Sequence, residues 1–433
     1  MITSLLELHS FMCFAHPKLL SIELEAWFDS NSEADHVIAF LIYEFFPGTP
    51  EVIETLTCIR ELAKNKNKKL TVIADDQYKQ FSHLWEGIDI VYISYWAMFV
   101  KVLSNPPDTE WNRNADKALF LTGKMHYLNR IGALASAVKS GIISKLKYSF
   151  MYANEKFDDE SKNIITQWDL DDGELMQYLL QHRGITDLEP TNIPTTRVGF
   201  KDFEFFCDIV DPSMYTDTRV SLVSESATRT MPTITEKVWK AIAFSHPFVL
   251  LAIPGTHEYL ESIGVSAFTK FFPSTVEIGN ELTKAQVDNA LSNIDWILHH
   301  QENDDEISEV IEQNKKQFEL LAAGAIKIVN DTATKFNVPT LMNSLLNRGT
   351  ADVCKMREGL VARALIKETE LKDAEWKMFY DTVKGSDWPE YAHWSNLPIM
   401  VLDEIGVDQL SYFVPTLPPQ SEVFLKHGPE VSL

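Results

Sequence analysis

Residues 221–268 read SLVSESATRTMPTITEKVWKAIAFSHPFVLLAIPGTHEYLESIGVSAF, and the fold class follows from them. A strand-forming run at 220–223 leads into a polar segment rich in Ser and Thr. The helical TEKVWKAIAF follows, then the strand-like PFVLLA, a Pro-Gly turn and a second helix start at Thr256. Strand, helix, strand, helix is the pattern of a parallel α/β unit, and such units gather ligands at the carboxyl ends of their strands. Ser224, Glu225, Ser226, Arg229, Glu236, Lys237, Gly255 and Thr256 fall at those junctions.

The helix entry has a physical peculiarity. TITE at 233–236 fits a capping box, with Glu236 reaching back to the backbone of Thr233. That accounts for Glu236 without a ligand. It leaves Lys237 unexplained, because a cation in the first turn sits at the positive end of the helix dipole. A phosphate there would satisfy both the lysine and the first amides. Gly255-Thr256 opens a second helix whose amides could meet the same phosphates.

Outward from this stretch, the N-terminal half repeats the alternation. Strands are expected at 36–43 (HVIAFLIY), 69–76 (KLTVIADD), 88–96 (IDIVYISYW) and 117–123 (KALFLTG), with helices at 50–64 and 127–139. An open parallel sheet results. Glu44, Asp75 and Asp76 lie just past strand ends, where carboxylates serve either as catalytic groups or as turn and cap residues. LTGKMHYLNR at 121–130 sets Lys124, His126, Asn129 and Arg130 in one loop and helix start. Such a concentration of donors suits an anionic or hydroxyl-rich ligand, or else a solvated helix face.

Length and composition bound the rest. A chain of 433 residues with 45% hydrophobic and 11% aromatic residues supports two to three globular domains. The formal charge of −23 argues against a general polyanion binder but permits a local basic cleft. Cys13, Cys58, Cys207 and Cys354 stand far apart without a CxxC, which suggests neither a disulfide framework nor a zinc site. No apolar run reaches the length of a membrane span, and the N-terminus lacks a basic start, so a cytoplasmic protein is expected. The expected division is an N-terminal domain over 1–160, an acidic insertion and linker over 161–200, a second domain over 201–349 and a helical extension over 350–433.

VSES at 223–226, the spacer, ITEK at 234–237 and PFVLLAIPG at 247–255 together resemble the nucleotide-sugar domain of GT-B glycosyltransferases. The likeness is greatest to the α-1,3-fucosyltransferase type and to related phage and bacterial proteins, in which F-E-N-S precedes a T-E-K helix. It covers about fifty residues well. The resemblance implies an α/β fold of two Rossmann-like domains facing across a cleft. It implies that Glu236 binds the donor ribose and Lys237 the diphosphate, with Glu225 and Ser226 lining the pocket. Arg229, Gly255, Thr256, Lys124 and Arg130 complete the donor set. Ser226 stands for the family's Asn, the spacer is one residue longer, and Ile234 replaces an aromatic that stacks on the base. The nucleotide base therefore stays open.

The function expected is transfer of a sugar from a nucleotide-diphosphate sugar to a hydroxyl, with inversion and without a metal, since no DxD pair sits at the motif. Glu44 or Asp76 would deprotonate the acceptor. The acceptor is a glycan, a lipid-linked sugar or a modified base in DNA. The rival is a non-catalytic nucleotide-binding or assembly protein on the same fold. The absence of GxGxxG and of a Walker lysine loop argues against a dehydrogenase or P-loop ATPase.

Overall fold

The computed structural model describes residues 2–7, 24–25, 27–42, 50–104, 106–122, 128–148, 168, 212–225, 234–253, 255–273 and 283–346. Glu44, Lys124, Ser226, Arg229 and the expected extension over 350–433 lie outside them. The chain forms two compact units, one comprising 1–93 with 328–433 and the other 94–327. Each contains a four-stranded parallel sheet with helices packed on it, a GT-B-like architecture of two Rossmann-type units.

In the first unit the strands are β1 (Thr3–Glu7), β2 (His36–Leu41), β3 (Lys69–Asp75) and β4 (Asp89–Ile93). Helix α1 (Pro50–Asn65) joins β2 to β3, and a 3-10 helix (Asp76–Trp85) joins β3 to β4. The strands lie in the order β1-β2-β3-β4. Every crossover thus steps the same way, and right-handed connections then fall on one face. The core agrees. Val37, Ala39 and Leu41 of β2 and Val72 and Ala74 of β3 pack with Val52, Leu56 and Ile59 of α1 and with Tyr78 and Trp85. Ile38, Phe40 and Ile73, on the other face, are buried as well. At the amino edge, Thr3 Oγ1 donates to the Phe336 carbonyl at 3.2 Å, and the Phe336 ring lies against His36 with centroids 4.1 Å apart.

The second unit begins where a strand was expected to continue. The run IDIVYISYW leaves β4 at Ile93 and turns into helix α2 (Tyr95–Ser104), whose residues 95–100 are all buried. A run that is apolar on every side suits a buried helix as well as a strand, so periodicity does not separate them. Next come β5 (Ala118–Phe120), α3 (Leu128–Ser140), β6 (Leu146–Tyr148), the short α4 (Ser213–Thr216) and β7 (Val220–Ser224). They are followed by α5 (Glu236–Ala243), β8 (Phe248–Leu251), α6 (Thr256–Ser262), α7 (Lys284–His299), the 33-residue α8 (Asp304–Phe336) and α9 (Leu341–Leu346). The last turns of α8 and all of α9 belong to the first unit.

The strand order here is β6-β5-β7-β8. Ala118–Phe120, expected as the fourth strand of the first sheet, instead pairs with β6 on one side and with β7 on the other. The second unit therefore starts at Ser94, and Leu121, Thr122 and Arg130 fall in it with the TEK helix, where an N-terminal domain ending at 160 was expected. The connections leaving β5 and β7 run in opposite directions across the sheet, so the crossover rule puts α3 and α5 on opposite faces. Helix α7 packs on α3, β7 and β8, and α2 packs on α5. Phe318 of α8 meets Trp239 of α5, and Lys101 of α2 pairs with Glu319 of α8 at 2.7 Å. Trp168 of the acidic insertion lies over Gly132 of α3, where a Cβ would come within 2.1 Å of its ring.

Arg219 fastens this unit from within. Its fully buried guanidinium donates to the carbonyls of Ile297, Arg113 and His300 and to Asp304 Oδ1 at 2.6 Å. Trp111 Nε1 donates in turn to the Arg219 carbonyl at 2.7 Å. One side chain thereby ties the loop before β5 to the end of α7 and the start of α8.

Candidate functional site

An order of β6-β5-β7-β8 contains a topological switch point between β5 and β7. The loops that leave those two strands diverge, and the crevice outside their carboxyl ends is where open α/β sheets take ligands. Two stretches singled out in the sequence leave this point. Leu121, buried Thr122 and buried Arg130 follow β5; Glu225, Thr235, Glu236 and Lys237 follow β7. The order of the first sheet gives no such reversal among its described strands.

Sequence and backbone explain the local geometry after β7. The Glu225 N–H still donates to the Leu251 carbonyl at 3.2 Å, so the strand holds its direction one residue past its end. The Glu225 side chain is fully buried. Its Oε1 accepts the Thr235 N–H at 3.0 Å and its Oε2 the Thr235 hydroxyl at 2.6 Å. Thr235 is the N-cap of α5, yet its side chain makes no cap bond. The expected capping box on Thr233 is thus replaced. Thr233 lies outside the described residues, the cap is Thr235, and a carboxylate ten positions upstream takes the hydroxyl that would otherwise face the helix amides. Lys237 Nζ donates to Thr235 Oγ1 at 2.9 Å and to Glu236 Oε1 at 3.1 Å, and lies 4.0 Å from Glu225 Oε2. Glu236 is itself buried, and Lys237 keeps about a fifth of its side chain exposed.

Burial pushes the Glu225 carboxyl above the ordinary carboxylate range, with Lys237 and the two Thr235 bonds pulling it back in part. Tyr215, stacked on Phe244 at 4.7 Å, has its hydroxyl raised far above the usual phenol value by burial and then by the charge of Glu236. The carboxylate of Glu236 is thus felt inside the core as well as at the helix start.

The remaining sequence-nominated residues divide. Gly255 has φ 87°, the left-handed conformation that glycine adopts without strain, and it turns the chain from β8 into α6. The Thr256 hydroxyl donates to the Ile253 carbonyl at 2.7 Å and is fully buried, so it closes that turn. Asp76, partly buried, opens the 3-10 helix after β3. The preceding Asp75 accepts the Gln77 N–H at 3.1 Å as a cap, the plainer of the two roles open to it. Thr235 was missed by sequence reasoning. Its partner Glu225 lies ten positions upstream, and no local spacing rule pairs the end of a strand with the N-cap of the helix that follows it.

Among the described residues no group of three or more His, Cys, Asp or Glu is placed to hold a metal, and no helix is long and apolar enough to cross a membrane. A separate open cavity of about 840 Å³ lies between the end of α3 and α7, lined by Ser136, Lys145, Asp295 and Trp296 among others. It sits where α3 ends, away from the β5–β7 switch point. Two of its lysines, Lys145 and Lys284, pair with Asp295 and Asp288. No family model, no curated protein and no solved structure matches the chain. What stands is a GT-B-like α/β architecture with an acid–lysine cluster at the switch point of its second sheet.

Proposed function

We propose that the second unit binds a nucleotide-diphosphate sugar at the β5–β7 switch point and that the chain transfers its sugar to an acceptor hydroxyl. One observation carries the reading. The two helices that leave the switch point each place a cation in their first turn, Arg130 in α3 and Lys237 in α5. A cation there opposes the helix dipole; Glu236 offsets part of this at Lys237, and an anion between the two helix starts would add to that compensation. A diphosphate carries charge enough for both.

Lys237, Arg130 and the α5 amides then stabilise the nucleoside diphosphate as it leaves, and Arg229 is a further donor in the same loop. Glu236 accepts from the ribose hydroxyls, the role the resemblance gives it, and the resemblance adds Ser226 and Lys124 to the donor set. Gly255 and Thr256 hold the neighbouring turn in place. Asp76 or Glu44 takes the acceptor proton. The donor stretch holds no DxD pair, so the leaving charge falls to these cations and a metal is not required. Transfer inverts the anomeric centre, as in the fucosyltransferase type. The acceptor is a glycan, a lipid-linked sugar or a modified base in DNA, and a cytoplasmic location suits the dispersed cysteines.

Isothermal titration of the purified chain with UDP, GDP, CDP and ADP and their sugars tests this. One base should bind, and Lys237→Ala and Arg130→Met should each weaken it by about tenfold or more. Absence of binding by every nucleotide would sink the reading.

A further inference from the structure

We infer that Glu225 and Thr235 are positioning residues for Lys237, a chain of Glu225 carboxylate, Thr235 hydroxyl and Lys237 ammonium that fixes the cation at the amino end of α5 for an anion of the diphosphate class. The inference rests on the nucleotide-binding reading for the identity of the anion, while the positioning itself is a property of the chain alone.

The direction of the hydrogen bonds carries it. Thr235 Oγ1 has one proton. The carboxylate of Glu225 can only accept, so that proton goes to Oε2 at 2.6 Å. The hydroxyl then turns a lone pair toward Lys237 Nζ at 2.9 Å. Glu236 Oε1 holds the same ammonium at 3.1 Å. Two oxygens thus fix a long side chain that would otherwise sample many rotamers, and the ordering is complete before any ligand arrives. Glu225 is fully buried, with both of its oxygens on Thr235, so it lies behind the site rather than against a ligand. The resemblance made Glu225 a pocket-lining residue; the geometry points to support from beneath.

The geometry also explains the missing cap. A threonine at the N-cap ordinarily gives its oxygen to the helix amides. Here that oxygen is turned to the carboxylate and the lysine, which leaves the amides of the first turn without a side-chain cap from Thr235. Lysine and amides then face the same anion.

The test uses the full chain as wild type and as Thr235→Val, Thr235→Ser and Glu225→Gln. Each is measured for Lys237 modification by an amine-reactive ester without ligand, read by mass spectrometry, and for affinity toward UDP, GDP, CDP and ADP. Thr235→Val removes the lone pair. Glu225→Gln keeps the volume but presents an N–H to the hydroxyl, turning its proton toward the ammonium. Both should label Lys237 about threefold faster or more and bind the nucleotide about tenfold more weakly. Thr235→Ser, which keeps the hydroxyl, should match wild type in both, an outcome that a purely structural role for the threonine methyl would not give. Wild-type labelling and affinity in Thr235→Val and Glu225→Gln would overturn the inference and leave the nucleotide reading standing. Changed labelling in a protein that binds none of the four nucleotides would uphold the positioning and remove the nucleotide reading.

Discussion

His246 shows how a polar side chain is accommodated inside the second unit. Its Nε2 lies 2.8 Å from the Thr218 carbonyl, which can only accept, so Nε2 carries the proton. Nδ1 therefore accepts from the Ser221 hydroxyl at 2.8 Å. Tyr215 closes the ring edge-on. Burial lowers its pKa from 6.5 to about 4. The unfolded chain binds a proton below 6.5 that the folded chain refuses until about 4. Stability is complete above the first value and falls as the pH drops through the window. The loss attributable to this one group is about 3 kcal/mol. Urea unfolding at pH 7 and pH 4.5 should show a smaller drop for His246→Gln, which keeps a donor and an acceptor, than for wild type. Arg219 makes the converse case. Arg219→Met removes the donor from Asp304 and from three carbonyls at once, and equilibrium unfolding should report a loss of about 3–5 kcal/mol.

At the level of elements, Gly132 sets a sharp condition. An alanine there would put a methyl carbon 2.1 Å from the Trp168 ring. Gly132→Ala should therefore displace that ring, seen as a red-shifted Trp emission, and should cost about 1–3 kcal/mol in unfolding. The elements were legible to different degrees. Strands β2, β3, β7 and β8 were read nearly to the residue, because each is a short apolar run that stops at polar or turn residues. The strand at Ala118–Phe120 was read as a strand but given to the wrong sheet. Alternation along a strand reports which residues face a core and says nothing about which strand lies alongside. The same limit hid the switch point, which exists only once β5 is seen between β6 and β7. Lys237 and Arg130 were visible singly as cations at helix starts. Only the resemblance set them together, since more than a hundred residues separate them and no periodicity spans that distance.

For the whole molecule, charge bears on the choice of acceptor. A formal charge of −23 repels the phosphates of duplex DNA over most of the surface. The full chain should pass unretained through a duplex-DNA column at about 0.15 M salt. Salt-sensitive retention would instead bring a modified base forward as the acceptor.

Thr3 and Phe336 meet across 333 residues of sequence. The second unit is one unbroken stretch, whereas the first is made of the chain's beginning and a segment that follows residue 327. Synthesis runs from the amino terminus, and domains fold as their residues emerge. The unit that carries the first strand is therefore the last to be finished: β1 and β2 leave the ribosome early and wait until residue 336 is made before the Phe336 contacts with Thr3 and His36 can form. A chain ending before residue 328 should contain the second unit complete and a first sheet that still lacks its Phe336 contacts.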